Sequence, residues 1–246
     1  SQVINCVKSL MDYTNIADGL SLTMAIAINE MNDLLRTELD EYSKTSRFPL
    51  YLHDMGKNVG KGIAVNNVAS KYDFDYIISM DSDMICIDSN WLLNMVKAYI
   101  RYNINPYRNS KKNYEPRYLG SLCTNQRGAT AHLIKKTDPK VLSIKPSPEL
   151  TIVSPLDGAG VAGGVLMSDS ETWKMIGGYN GGRLFAADDG HFHGDCFRYN
   201  RLVGYLDEVY FYHPYELNDD YRKWKNAECT SEFTFKKYTT ELVAEK

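Results

Sequence analysis

Apolar and polar positions alternate along the chain in a way that predicts short strands separated by helices. Over residues 20–42 the apolar side chains fall at Leu20, Met24, Ala27 and Ile28, Met31, Leu34 and Leu35, and Leu39, which is helical spacing. The first part, Leu22-Thr-Met-Ala-Ile-Ala-Ile28, fits a buried strand feeding a helix from near Asp33 equally well, and periodicity does not separate the two. Pro49-Leu-Tyr-Leu52 predicts a short strand, residues 56–62 a glycine-rich turn and residues 63–72 a helix. Tyr76-Ile-Ile-Ser-Met80 predicts a fully buried strand ending at Asp81. Asp88 or Ser89 is expected to cap a helix carrying Trp91, Leu92, Met95, Val96, Tyr99 and Ile100.

The pattern then turns polar and irregular over residues 103–117, interrupted by Pro106 and Pro116. Residues 135–155 contain four prolines and predict an extended loop or lid. Regularity returns with a strand at Gly163-Gly-Val-Leu-Met167 and a helix over 170–176. A turn with Gly177, Gly178, Gly181 and Gly182 leads to Asp188-Asp189, a helix over 193–203, and a strand Glu208-Val-Tyr-Phe-Tyr212 that ends at His213. Strands alternating with helices imply an α/β fold with a mainly parallel sheet covered on both faces. Ligands of such sheets collect beyond the carboxyl ends of the strands, where the acidic residues of this chain fall.

Composition narrows the picture without redirecting it. With 246 residues, 43% apolar and 24% charged, the chain has the make-up of a globular protein, which excludes disorder and repeat fibres. The formal charge of −3 argues against a dedicated nucleic-acid coat. Five widely spaced cysteines form no C-x-x-C pair, so they read as reduced thiols of a cytoplasmic protein. No apolar run approaches the roughly 20 residues that span a bilayer.

Several segments carry candidate chemistry. Asp81-Ser-Asp83 ends a strand, where extended geometry turns residues two apart to one side, so both carboxylates can meet one Mg²⁺ or Mn²⁺. Asp73-Phe-Asp75 has the same spacing but precedes the strand, and is read as accidental. Asp188-Asp189 fits either a helix N-terminus or a general base. His213, at the end of its strand, gains weight only if it shares the sheet end with Asp81 and Asp83. His191 and His193 make a zinc site conceivable, without the usual partner pattern. Lys57 and Lys61, set among the glycines of residues 56–62, suit either a phosphate or diphosphate or a solvated turn before a helix. Finally, Arg108, Lys111 and Lys112 alternate with Tyr102, Tyr107, Tyr114 and Tyr118, which suits a solvated loop or a surface that stacks sugars or bases.

In order and spacing, these pieces resemble a GT-A (Rossmann-like) nucleotide-sugar glycosyltransferase close to the inverting family 2. The resemblance runs through Gly56-Lys-Asn-Val-Gly-Lys-Gly-Ile-Ala-Val-Asn66, Tyr76-Ile-Ile-Ser-Met-Asp-Ser-Asp83, Ala162-Gly-Gly-Val-Leu-Met167, Trp173-Lys-Met-Ile-Gly-Gly-Tyr179, Ala187-Asp-Asp-Gly190 and Tyr212-His213. It implies a single domain: a nucleotide-sugar half over residues 1–100, a variable loop or lid over 101–160, an acceptor and catalytic half over 161–215, and an extension over 216–246. The resemblance further implies that Asp83, Asp81 and His213 hold Mn²⁺ or Mg²⁺, with Asp81 also toward the ribose. Asp189 would be the general base, and Asp188 would stand where the family usually has Glu. Lys57, Lys61, Gly163 and Gly164 would border the donor. The partners so implied are a nucleotide-diphosphate sugar and a glycan or other hydroxyl acceptor.

The family's opening strand, with its Pro-Thr-Tyr-Asn-like turn, has no match here. Either residues 2–7 are a divergent version, or residues 4–11 resemble the helix that follows it and residues 25–30 sit at the family's acidic base- or ribose-binding turn; the second reading is preferred. The alternatives keep the fold and change the role: glycosylation of modified (hydroxymethylated) DNA through residues 107–118, or a non-catalytic domain that binds carbohydrate or protein. A nucleotidyltransferase ranks last, because the chain lacks a glycine-rich opening.

Overall fold

The computed structural model describes residues 1–29, 32–106, 117–128, 136–137, 141–155, 161–180 and 188–213. Its elements run α1 (Gln2–Tyr13), β1 (Met24–Ile28), α2 (Asp33–Thr45), β2 (Leu50–Asp54), α3 (Lys61–Ala69), β3 (Tyr76–Met80), β4 (Ile85–Cys86) and α4 (Trp91–Ile104). They continue with β5 (Leu119–Gly128), β6 (Val141–Ser147), β7 (Leu150–Pro155), β8 (Val165–Asp169), α5 (Ser170–Ile176), α6 (Asp188–Arg198) and β9 (Leu202–His213). The ambiguity over residues 20–42 resolves as strand then helix. Asn32 stops the strand pattern there by capping α2, its side chain accepting from the Leu35 amide at 2.8 Å.

The fold class is α/β as expected. β1 and β2 form a two-stranded parallel sheet, and seven strands form the larger one in the order β3-β8-β5-β9-β7-β6, with β4 added on β9. Pairing in the larger sheet is mixed: β5–β9 is parallel, while the other ladders are antiparallel. One cause is local. Two turn residues join β6 to β7, and a link that short permits only an antiparallel hairpin.

That hairpin corrects the loop or lid expected over residues 135–155. Its prolines are tolerated because β6 lies at the sheet edge, Pro146 falls in a register irregularity between Ile144 and Ser147, and Pro148 sits in the turn. β3 is half-buried rather than fully buried, with a ladder only to β8 among the described residues. The N-cap of α4 is Asn90 rather than Asp88 or Ser89, although the Asp88 carboxylate accepts from the Asn90 amide at 2.9 Å. α6 begins at Asp188, five residues earlier than expected, so both acids belong to its first turn.

Period-two alternation distributes the central strands over two cores. Leu122, Ile152, Met167 and Leu206 face α4 and the α1 residues Cys6 and Leu10. Their neighbours Cys123, Val153, Leu166 and Tyr205 face Trp173, Phe192 and Cys196 of α5 and α6 and Ala69 of α3. Each such side chain, fully buried, contributes about 1.5–3 kcal/mol. Val7 of α1 joins Ile28 and Leu50 of the smaller sheet and Leu39 of α2, so α1 ties the two sheets together. Cys6, Cys86, Cys123 and Cys196 are buried free thiols, and Cys229 lies outside the described residues.

Candidate active site

The register places the candidate residues at one end of the larger sheet. β3 and β5 both run antiparallel to β8, and β9 runs parallel to β5. The carboxyl ends of β3, β5 and β9 and the start of β8 therefore coincide. Asp81 and Asp83 follow β3, His213 ends β9, and Gly163 and Gly164 precede β8.

Two adjacent glycines link the acidic segments. The Gly164 carbonyl accepts from the Asp81 amide at 2.8 Å. The Gly163 amide donates to Asp189 Oδ2 at 2.8 Å, and the Gly190 amide donates to Asp189 Oδ1 at 2.9 Å. Glycine is required by space: a Cβ on Gly163 would lie 2.4 Å from Asp189 Cβ, and one on Gly164 would lie 2.7 Å from Gln126 Nε2 and 2.9 Å from Met84 Sδ. The short strand β4 pairs Ile85 with Tyr212, which folds the turn after β3 back onto the end of β9. His213 Nε2 thereby comes within 3.1 Å of Asp83 Oδ2, with side chains 16% and 29% exposed.

Lys61 opens α3 and forms an ion pair with Asp81 Oδ1, its ammonium 5.7 Å from the centre of the Tyr179 ring. Burial works to lower the ammonium pKa, but Asp81 and Asp189 outweigh it and hold Lys61 above its ordinary value. Asp188 is buried at 6% exposure, near enough to the Gly62 backbone amide in the first turn of α3 for that N–H to favour its charged form. Burial, with the like charges of Asp189 and Asp81, pushes its carboxyl up to about 6 against the pull of Lys61. Burial likewise pushes the Tyr179 phenol up to about 12.

Lys57 is exposed in the turn before α3. His193 is buried against β5, 3.1 Å from Ser121 Oγ, while His191 is half-buried on the same helix. Among the described residues no group of three His, Cys, Asp or Glu side chains is clustered to hold a metal by itself, so the zinc idea at His191 and His193 gains nothing. Asp83 with His213 offers a carboxylate oxygen and an imidazole nitrogen side by side, a donor pair that fits a divalent ion completed by other oxygens. Of the tyrosine-rich cationic segment, residues 107–116 lie outside the described residues, as does the extension over 216–246.

Asn66 ends the first segment of the resemblance, but sequence reasoning gave it no role. Its side-chain amide donates to the Tyr179 carbonyl at 2.7 Å and accepts from the Tyr179 amide at 2.9 Å, fastening α3 to the segment after α5. The available signal was the glycine pair before Tyr179. Gly178 has φ +77°, and a Cβ there would lie 2.3 Å from Asn66 Oδ1.

Comparison with known proteins identifies the fold and the family. The fold is of the GT-A glycosyltransferase type. It is similar to the mannosyltransferase PcManGT of Pyrobaculum calidifontis, solved with GDP-Man and Mn²⁺ (14% identity, TM-score 0.61, 91% of this chain and 55% of that one). It is also similar to S. aureus TarS with UDP-GlcNAc (12%, 0.62, 89% and 56%) and to GalNAc-T7 with UDP, GalNAc and Mn²⁺ (15%, 0.60, 87% and 41%). The chain thus spans about half the length of these structures, or less. No curated protein matches it in a sequence search. The family model for glycosyl transferase family 2 matches residues 1–141, more than half of the sequence, and the chain belongs to that family. The match includes Lys61, Asp81 and Asp83; Asp188, Asp189 and His213 lie beyond it.

Proposed function

We propose that the chain transfers a sugar from a nucleoside-diphosphate donor to a hydroxyl acceptor with inversion, assisted by a divalent cation. The observation that carries this reading is the glycine pair: Gly163 holds Asp189 and Gly164 holds Asp81, so a base candidate and a cation-binding strand end meet across two residues. Asp83 and His213, with Asp81, would hold the cation; the imidazole in that set favours Mn²⁺ over Mg²⁺. When bound, the cation supplies charge stabilisation to the departing diphosphate.

Asp189 receives the acceptor proton. Each of its oxygens accepts one amide, which fixes the carboxylate plane and leaves lone pairs for the hydroxyl. Asp188 is buried at the start of α6, where the charge of Lys61 favours its ionised form. Lys61 and the amides opening α3 face the diphosphate, with Lys57 at the outer rim. One carboxylate taking the proton opposite the leaving group accounts for inversion. The four buried free cysteines suit a reducing, cytoplasmic setting.

The test is calorimetric binding of UDP, GDP, CDP and dTDP, each with Mn²⁺ and with EDTA, to the parent chain, Asp83→Ala and Asp73→Ala. Metal-dependent binding of one nucleotide, lost in Asp83→Ala and kept in Asp73→Ala, is expected. Binding that survives in Asp83→Ala and fails in Asp73→Ala overturns the assignment.

A further inference from the structure

We infer that Lys61 is a positioning residue that acts through Asp81: a built-in counterion that occupies the carboxylate until the donor arrives, so that cation and diphosphate are taken up together. The inference rests on the cation reading above and adds a residue to it. Three carboxylates, those of Asp81, Asp188 and Asp189, act electrostatically on or with this one ammonium, and Asp81 Oδ1 is in direct contact with it. Asp83 takes no part in that ion pair; its Oδ2 is 3.1 Å from His213. The two acids of one triplet therefore have different partners, and a cation that draws Asp81 toward Asp83 and His213 competes with Lys61 for it.

Lys61 has a second place to go. It is the first residue of α3, directly after Gly60, which has φ +80°, so its side chain leaves the chain at the helix end whose first amides favour an anion. A diphosphate there gives the released ammonium a new anion, while Asp81 gains the cation. Each ligand thus removes an obstacle to the other, and linkage makes the effect reciprocal.

The experiment measures Mn²⁺ binding without nucleotide, by the loss of the free-ion electron paramagnetic resonance signal. The samples are the parent chain, Lys61→Met, Lys61→Arg and Asp83→Asn, each shown folded by circular dichroism; Lys61→Gln replaces Lys61→Met if the latter does not fold. Removing the charge is expected to tighten Mn²⁺ binding at least about fivefold. Lys61→Arg should stay near the parent, and Asp83→Asn should lose binding. An unchanged or weaker Mn²⁺ affinity in folded Lys61→Met, with binding still lost in Asp83→Asn, overturns the counterion role alone. Parent-like binding in Asp83→Asn overturns the cation site itself. Tightening by Lys61→Arg equal to that by Lys61→Met also overturns the inference, because charge would then not be the cause.

Discussion

Replacing Gly163 by alanine tests the base assignment without touching a charged group. The new methyl would stand 2.4 Å from Asp189 Cβ and 2.8 Å from Asp189 Oδ2, whereas ordinary contact begins at 3.4 Å. Asp189 must therefore retreat by about 1 Å, and the 2.8 Å bond from the Gly163 amide is lengthened or lost. Gly163 has no left-handed φ, so the alanine backbone itself carries no penalty. Overpacking should cost about 1–3 kcal/mol of stability, read from urea unfolding. A base displaced by about 1 Å should lower turnover on the order of 100-fold, read as nucleoside diphosphate released, with nucleotide affinity within about threefold of the parent. Gly190→Ala is the internal control. It lies on the same helix turn in open space, keeps its amide bond to Asp189 Oδ1, and should leave both readouts near the parent. If Gly163→Ala turns over within about threefold of the parent, the placement of Asp189 does not matter and the reasoning fails.

Three further outcomes are expected. Asp189→Asn should retain nucleotide binding and lose transfer by about 100-fold or more, and retained transfer removes Asp189 as the base. Asp188 has an ordinary pKa of 3.8 and a folded one of about 6, so the folded state keeps a proton that the unfolded state releases between those values. Stability should accordingly fall as pH rises through that window, by about 3 kcal/mol for about two pKa units. Asp188→Asn should flatten the dependence in urea titrations between pH 4 and 7, and parallel slopes for parent and variant would contradict the burial argument. Gly178→Ala should cost about 2 kcal/mol or more, because it strains a φ of +77° and collides with Asn66. Gly177→Ala, with φ +86° but open space, should cost less; equal urea midpoints for the two would show that the Asn66 clamp contributes nothing.

Much of this site is legible in the chain because its parts lie at the ends of elements whose pattern is strong. Tyr76–Met80 forms a strand, and the acids after it fall at its carboxyl end whatever the rest of the chain does. Turn chemistry is local too, so Asn32, Asp169 and Gly177 mark helix boundaries by bonds within a few residues. The stretch over residues 135–155 misled because its four prolines argue for a loop. Only an edge position and a bulge make them compatible with strands, and neither is a property of the segment itself.

Order and chemistry are thus local, whereas partnership is not. The sequence by itself determined the alternation of strands and helices, the glycine turns and the candidate donor atoms. Only the tertiary structure decided that Asp83 faces His213 while Asp81 faces Lys61, that Asp188 turns inward while Asp189 accepts from Gly163, and that Asn66 fastens Tyr179. The physical reason is chain separation. Each pair brings together residues from different elements, and only sheet register and the packing of α3 and α6 fix which oxygen lies beside which nitrogen.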